Sequence, residues 1–327
     1  MPANLTPQYY EAEEAFRSAT TVEDKIAALE EMLAVIPKHK GTDKIQADLR
    51  KRLSKLRKEG ETSQGGQKQD DPYLIDKQGA GQVCLLGFPN TGKSSLVETL
   101  TNANVKVAPY PFSTPLPQPG MMPYEDIKIQ LIDTPPITTE GIPGPFSTTI
   151  RNSDLVIIFT DLANDECVDQ LQLTLNFLRE RRILREEMIE GVACFTLDKC
   201  IIVGTKADNE GSQERLQIMK ELIEDCPQVL PISTETGQNM DRLKQLVFDK
   251  LEIIRIYSKK PGKEPEMERP FVLKKGSDVL EFAKSVHKDI ADNLKNARVW
   301  GSARFDGQSV AQDYFLKDKD IVELHTN

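Results

Sequence analysis

The segment GFPNTGKSS, Gly87 to Ser95, is the stretch of this chain best suited to chemistry. It fits GxxxxGK[ST], with the apolar run QVCLL before it and the helical pattern SSLVETLTNA after it. Strand, glycine-rich turn and helix in that order predict a phosphate cradle. The glycines let the backbone curl so that successive N–H groups face an anion, and the helix N-terminus adds partial positive charge. Gly87, Phe88, Pro89, Asn90, Thr91, Gly92, Lys93, Ser94 and Ser95 are expected to line the phosphates. Lys93 is expected to reach the β- and γ-phosphates, and Ser94 to ligate Mg²⁺.

Three further elements follow in order. Asp133 ends the apolar run IQLID, forty residues after Lys93, where a carboxylate on the metal side is expected. TKAD, Thr205 to Asp208, follows the run CIIVG. A carboxylate at Asp208 can accept from both N1–H and the 2-amino group of guanine, a donor pair that adenine lacks. Lys206 is expected to lay its stem over the base. PISTETG, Pro231 to Gly237, ends the next run, and Ser233 and Thr234 are expected to cap the base. Together the four elements predict a site for GTP or GDP with Mg²⁺, and catalytic roles for Lys93 and Asp133. In LIDTPPITTEG the third residue after Asp133 is Pro136, where a glycine N–H usually meets the terminal phosphate. Proline has no N–H to give.

The elements that must position these residues are visible in the patterning. VCLLG, IQLID, LVIIFTD, CIIVGT and VLPIS are short apolar runs separated by amphipathic stretches. They predict buried parallel strands with crossover helices, an α/β domain over residues 73–256. Ahead of it, residues 1–59 predict a helical hairpin. One helix ends before Pro37, with Thr21 and Asp24 at its start, and a second begins at Asp43. Residues 60–72 are Gly-, Gln- and Asp-rich and read as a linker. A Lys- and Pro-rich connector, 257–269, leads to a small α+β unit over 270–327. His287 and Trp300 are expected to pack in that unit, and LRERRILREEMIEG to be an exposed helix continued by a hairpin or loop.

The chain has 327 residues, a net charge of -9 and a pI of about 5.1, which argues against non-specific coating of DNA. Residues 38–59 nevertheless carry nine Lys or Arg against three acids. A basic helix of that kind is either a solvated face or a contact for an RNA backbone. The five cysteines form no CxxC pair, the three histidines are scattered, and no apolar run is long enough to span a membrane. A cytoplasmic protein with reduced thiols and no targeting peptide is expected.

With these motifs in place the chain resembles the Obg-like GTPases, and within them the developmentally regulated GTP-binding (DRG) branch with its C-terminal TGS domain. KHKGTDKIQADLRKRLSKLRKE is similar to the basic hairpin of that branch. GFPNTGKSS running into YPFST resembles the phosphate loop and switch one of the class. The stretch from IIRIYSKKPGKEP to KDKDIVEL resembles a TGS domain, a β-grasp roll. The resemblance implies GTP hydrolysis linked to the ribosome or structured RNA, with the hairpin and the TGS roll as contacts, or a protein partner. It matches Thr114, or less well Ser113, to the switch-one residue that ligates Mg²⁺, and Asn90 to a residue that helps hold K⁺. Two departures stand out. There is no room between switch two and TKAD for the small domain inserted in DRG proteins, so the chain reads as a compact relative. Ile137 stands where Ras-like switches carry a water-orienting Gln, a feature shared with Obg-like enzymes, so slow intrinsic hydrolysis is expected. Two other readings remain open at this point: a GTP-binding scaffold with little hydrolysis, and a P-loop kinase of small molecules.

Overall fold

The computed structural model describes residues 5–19, 21–62, 73, 75–101, 116–138, 144–223 and 228–326. They fall into two compact units. One comprises residues 1–77, 83–120 and 131–240, and the other 78–82, 121–130 and 241–327.

The first unit begins with three helices, α1 (Pro7–Ser18), α2 (Val22–Val35) and α3 (Asp43–Thr62). The hairpin predicted by sequence is α2 and α3. The additional α1 starts with Pro7 in the first turn, where its missing N–H costs nothing, and Thr6 caps it through Tyr9 N. Tyr9 and Ala12 then bury against Leu29, Met32 and Leu49. Thr21 caps α2 as its sequence suggests: its hydroxyl oxygen accepts from Asp24 N at 3.1 Å and the hydroxyl donates to the Asp24 carboxylate at 2.7 Å. Because α3 continues to Thr62, the linker begins later than residue 60.

The rest of the first unit is built on a six-stranded sheet, of whose strands residues 82, 121–124 and 127–130 are grouped with the second unit. Its elements are β1 (Gln82–Gly87), α4 (Lys93–Thr101), β2 (Gln118–Tyr124), β3 (Ile127–Asp133), α5 (Gly144–Asn152), β4 (Leu155–Asp161), α6 (Cys167–Glu180), β5 (Leu184–Arg185), β6 (Phe195–Thr196), β7 (Cys200–Thr205), α7 (Ser212–Leu222) and β8 (Val229–Pro231). The strand order is β2-β3-β1-β4-β7-β8, with β5 and β6 forming a separate two-stranded pair. The pairs β1–β4, β4–β7 and β7–β8 are parallel. Every residue of β1, β4 and β7 is buried, which is why these strands read as unbroken apolar runs. The parallel register puts Gly87 opposite Phe159, and Asp161 opposite Thr205, so the site residues collect at one edge.

The stretch expected to be an exposed helix and loop is more constrained than that. Arg182 and Arg185 both pair with Glu31, at 2.7 and 2.5 Å, and Arg181 pairs with Asp24 at 2.5 Å. Glu31 is almost fully buried. These arginines fasten α2 to the end of α6, a long-range pairing that a local reading of LRERRILRE does not contain.

The second unit contains α8 (Met240–Leu251), β9 (Ile253–Ser258), β10 (Phe271–Lys274), α9 (Val279–Val286), α10 (Lys288–Asp292), β11 (Leu294–Trp300), β12 (Gln308–Val310) and β13 (Asp320–Thr326). Its five-stranded mixed sheet has the order β10-β9-β13-β11-β12. Ile254, Ile256, Phe282, Val299 and Val322 form its core. The boundary expected at 256 is therefore displaced: IIRIYS is the first strand of this sheet and part of the expected connector belongs to it. The run follows α8 after Glu252 alone, which turns the chain at φ 51°. His287 is also corrected. It is largely exposed, and its Nδ1 accepts from Asp289 N as the cap of α10.

One cation of this unit is buried among more exposed acids. Arg255, 2% exposed, meets the carboxylates of Glu125, Asp126 and Asp318. Hydrogen bonds from Lys319 and then Arg255 hold the Glu125 carboxyl below its usual range. Burial pushes Asp126 and Asp318 up, but hydrogen bonds from Tyr257 and Arg255 to the first, and from Arg255 to the second, prevail and lower both. With folded values below the unfolded ones, the stability these groups contribute is present above about pH 5 and lost as pH falls through the lowered values. The urea midpoint reported by Trp300, the single tryptophan, should fall between pH 6 and pH 3. Asp318→Asn should flatten that pH dependence.

Candidate nucleotide site

The predicted phosphate loop is the turn between β1 and α4. Asn90 and Gly92 both have positive φ, 61° and 80°, so the loop curls twice within three residues. Gly87 allows the close approach: a Cβ there would lie 2.9 Å from Phe159 Cβ, Phe159 O and Thr91 Oγ1. Lys93, at the start of α4, is buried, and its Nζ donates to the carbonyls of Gly87 and Phe88, each at 2.9 Å. Burial lowers its pKa to about 8, and the neighbouring Asp133 carboxylate opposes the shift. Thr91 donates to Phe88 O at 2.8 Å and rigidifies the turn.

Ser94 and Asp133, forty residues apart in sequence, are brought together. The Ser94 hydroxyl donates to Asp133 Oδ2 at 2.6 Å. Burial raises the Asp133 pKa, against the Ser94 hydrogen bond and the Lys93 charge. Asp133 Oδ1 is buried with no hydrogen-bond partner. An unpartnered carboxylate oxygen beside a serine hydroxyl fits a hard divalent cation, which takes oxygen ligands.

After β3 the chain is anchored rather than free. Thr134 donates to Leu85 O at 2.5 Å, and Ile137 N donates to Gly87 O at 3.0 Å. The Ile137 side chain is 1% exposed and belongs to the main core. The N–H of Ile137, the next in the chain after Pro136, is thus already used within the protein.

The residues expected to hold a guanine base collect at the ends of β7 and β8. Thr205 donates to Thr91 O at 3.0 Å and Thr160 O at 3.2 Å, tying TKAD to the phosphate loop. Ala207 N donates to Ile232 O, and Ile232 N to Gly204 O, which places the Ser233–Thr234 segment beside TKAD. Ser233 is buried and its Oγ accepts from Thr236 N, while Asp208 is exposed. Lys206, at φ 55°, pairs with Asp161 Oδ2 at 2.5 Å. Asp161 was not singled out by sequence, although it ends LVIIFTD just as Asp133 ends IQLID. Its Oδ1 accepts from Ala163 N. The switch-one segment with Ser113 and Thr114 lies outside the described residues.

Residues 82–193 match the family described as 50S ribosome-binding GTPase, and residues 254–326 match the TGS domain. Developmentally-regulated G-protein 1 of Arabidopsis thaliana is 26% identical, over 92% of this chain and 90% of that one. Ribosome-interacting GTPase 1 of Saccharomyces cerevisiae is 26% identical, over 94% of this chain and 99% of that one. Among solved structures, the YchF GTPase of Schizosaccharomyces pombe superposes with a TM-score of 0.54 at 11% identity, over 76% of this chain and 99% of that chain, a likeness of fold alone. The chain thus pairs a match to a GTPase family with a match to the TGS domain, and over nearly its whole length it is similar to developmentally regulated GTP-binding proteins.

Proposed function

We propose that the protein binds GTP with Mg²⁺, hydrolyses it slowly to GDP and phosphate, and acts in the cytoplasm on the ribosome or structured RNA in translation or ribosome assembly. The Ser94–Asp133 pair beside the Lys93 loop carries this reading, because it gathers a metal-side hydroxyl, a partly unsatisfied carboxylate and a cation at one loop. The N–H groups of residues 90–95 bind phosphate oxygens, Lys93 neutralises the β- and γ-phosphates, and Asp208 reads guanine with Lys206 over the base. Ser94, Asp133 and Thr114 would hold Mg²⁺. When bound, the cation supplies charge neutralisation on the phosphates. In hydrolysis a water oxygen bonds to the γ-phosphorus as the β–γ bridging P–O bond breaks, and GDP leaves with the electron pair.

With Ile137 buried, nothing at that position orients the water. K⁺ beside Asn90, the ribosome, or both, then raise the rate. Turnover of GTP by the purified chain should be faster in K⁺ than in Na⁺ at equal ionic strength and rise further with ribosomes. Equal rates in the two salts would remove K⁺ from the mechanism. Failure of single-turnover hydrolysis with ribosomes and K⁺ would favour the second reading, a GTP-binding scaffold, which Pro136 and Ile137 support. ATP bound more tightly than GTP would instead revive the kinase reading.

Pro136 has a consequence of its own. With no N–H there, and that of Ile137 on Gly87 O, discrimination of GTP from GDP rests on Thr114, Mg²⁺, Lys93 and the segment that follows. Pro136→Gly should increase the preference for a non-hydrolysable GTP analogue over GDP severalfold in equilibrium binding. An unchanged preference and turnover would dismiss this role for Pro136.

For the RNA contact, Lys38, Lys40, Lys44, Arg50 and Lys51 are all exposed around the start and middle of α3. The similarity to ribosome-interacting GTPase 1 of Saccharomyces cerevisiae supports the same reading. Reversing the charge of Lys40, Lys44 and Lys51 should weaken co-sedimentation with ribosomes and reduce its dependence on salt. Binding indifferent to these charges would exclude the hairpin as the contact.

A further inference from the structure

We propose that Asp161 is a positioning residue for base recognition: its carboxylate holds the tip of Lys206 so that the lysine stem stays over the guanine ring. This rests on the reading of TKAD as the base-side segment. Every residue involved lies in the first unit. The starting observation is the backbone around Lys206. The register of β4 on β7 sets Asp161 opposite Thr205, so Lys206 is the first residue beyond the paired ends. Leu162 N donates to Thr205 O at 3.1 Å and Ala207 N to Ile232 O at 3.0 Å, which fixes the peptide units on both sides of Lys206. Lys206 itself stands in the left-handed region at φ 55°, which residues with a Cβ rarely adopt, and Asn209 N closes the turn on Lys206 O at 3.1 Å. A backbone kept in a sparsely populated conformation by its surroundings is a mark of sites where geometry matters.

What the backbone does not fix is the side chain. Lysine carries its ammonium on a flexible four-carbon stem with much rotamer entropy to lose. The Lys206 side chain is 40% exposed, and an unheld stem there would sample several rotamers, few of them over a base. Asp161 Oδ2 accepts from Lys206 Nζ at 2.5 Å and removes that freedom. The carboxylate is itself aimed. Its other oxygen accepts from Ala163 N at 2.9 Å, and the side chain is only 10% exposed. The ordinary account of Asp161 is a turn former after β4. An asparagine would serve Ala163 N equally well through its side-chain oxygen, and would cost less to bury. The formal charge finds its counter-ion at Lys206. Nor does stability account for the pair, because an ion pair with one partner this exposed contributes little.

A base under the lysine stem is remote from the γ-phosphate, so the contact strengthens binding of ground state and transition state alike. The test uses the full chain with Mg²⁺ and reads Kd for GDP and for a non-hydrolysable GTP analogue. D161N keeps a side-chain oxygen for Ala163 N and removes the counter-charge of Lys206. It should raise both Kd values by the same factor, about fivefold, within the range of coupling between residues in contact. Because Asp161 acts through Lys206, D161N should change Kd by less than about twofold in a K206M background, where the stem remains and the ammonium is gone. D165N breaks the pair of Asp165 with Arg215 in the same loop after β4, and should stay within about twofold of the unsubstituted chain. An unchanged or lowered Kd in D161N, a rise confined to one nucleotide, an equal rise in the K206M background, or an equal rise in D165N overturns the proposal. If D161N does not fold, K206M alone decides. A rise of about fivefold in its Kd for GDP upholds the proposal, and an unchanged Kd, meaning that the stem needs no anchor, overturns it. An unsubstituted chain that binds GDP no more tightly than ADP would instead overturn the reading of TKAD, before any substitution is compared.

Discussion

The carbonyl of Gly87 is where this structure converges. It accepts from Lys93 Nζ and from Ile137 N, and the absence of a side chain at Gly87 lets Phe159 and Thr91 come to within contact of its Cα. One residue therefore fixes the end of β1, the curl of the phosphate loop, the position of the loop lysine and the path of the chain after β3. No L-residue with a Cβ can occupy it without moving backbone atoms of β4. The hydroxyl of Thr205 extends this arrangement across the sheet by binding Thr91 O and Thr160 O, so that the TKAD segment and the loop after β1 share one set of hydrogen bonds. Neutral hydrogen bonds to backbone carbonyls do most of this work, and charge enters only at Lys93, Asp133 and the Lys206–Asp161 pair.

Much of this was legible in the residues. The loop, Asp133, TKAD and PISTETG lie at the ends of apolar runs that the structure forms as β1, β3, β7 and β8, because a parallel sheet collects the ends of its strands at one edge. A period of apolar residues and a cap at Thr21 were enough for α2. What escaped the sequence are contacts between distant segments. Arg181, Arg182 and Arg185 look like solvated charges in a local window, yet they lie against Asp24 and Glu31. Asp161 gives no sign that it will meet Lys206, and Arg255 sits inside an apolar strand pattern that does not reveal the acids around it. Boundaries failed where no turn residue marks them, as between α8 and β9.

The two units solve the problem of buried charge in different ways. In the first, Lys93 is surrounded by carbonyl dipoles with Asp133 near it, and burial leaves its proton held less tightly. In the second, Arg255 faces three formal negative charges, and its proton is held more tightly than in water. The first arrangement leaves a cation whose environment suits an incoming anion. The second leaves a cation already saturated, whose value is geometric.

The bond between α2 and the end of α6 bears on how the basic helix α3 can act. Glu31 is 2% exposed and serves two arginines at once. Detaching α2 would leave those arginines without their counter-charge, a cost of roughly 3–5 kcal/mol for a buried pair broken on one side. The three N-terminal helices are therefore part of the body of the first unit and not a tail tethered to it. Trimming the chain at the start of the phosphate-loop strand would yield a different protein surface, with exposed arginines that attract anions unselectively, and not a minimal version of the same molecule.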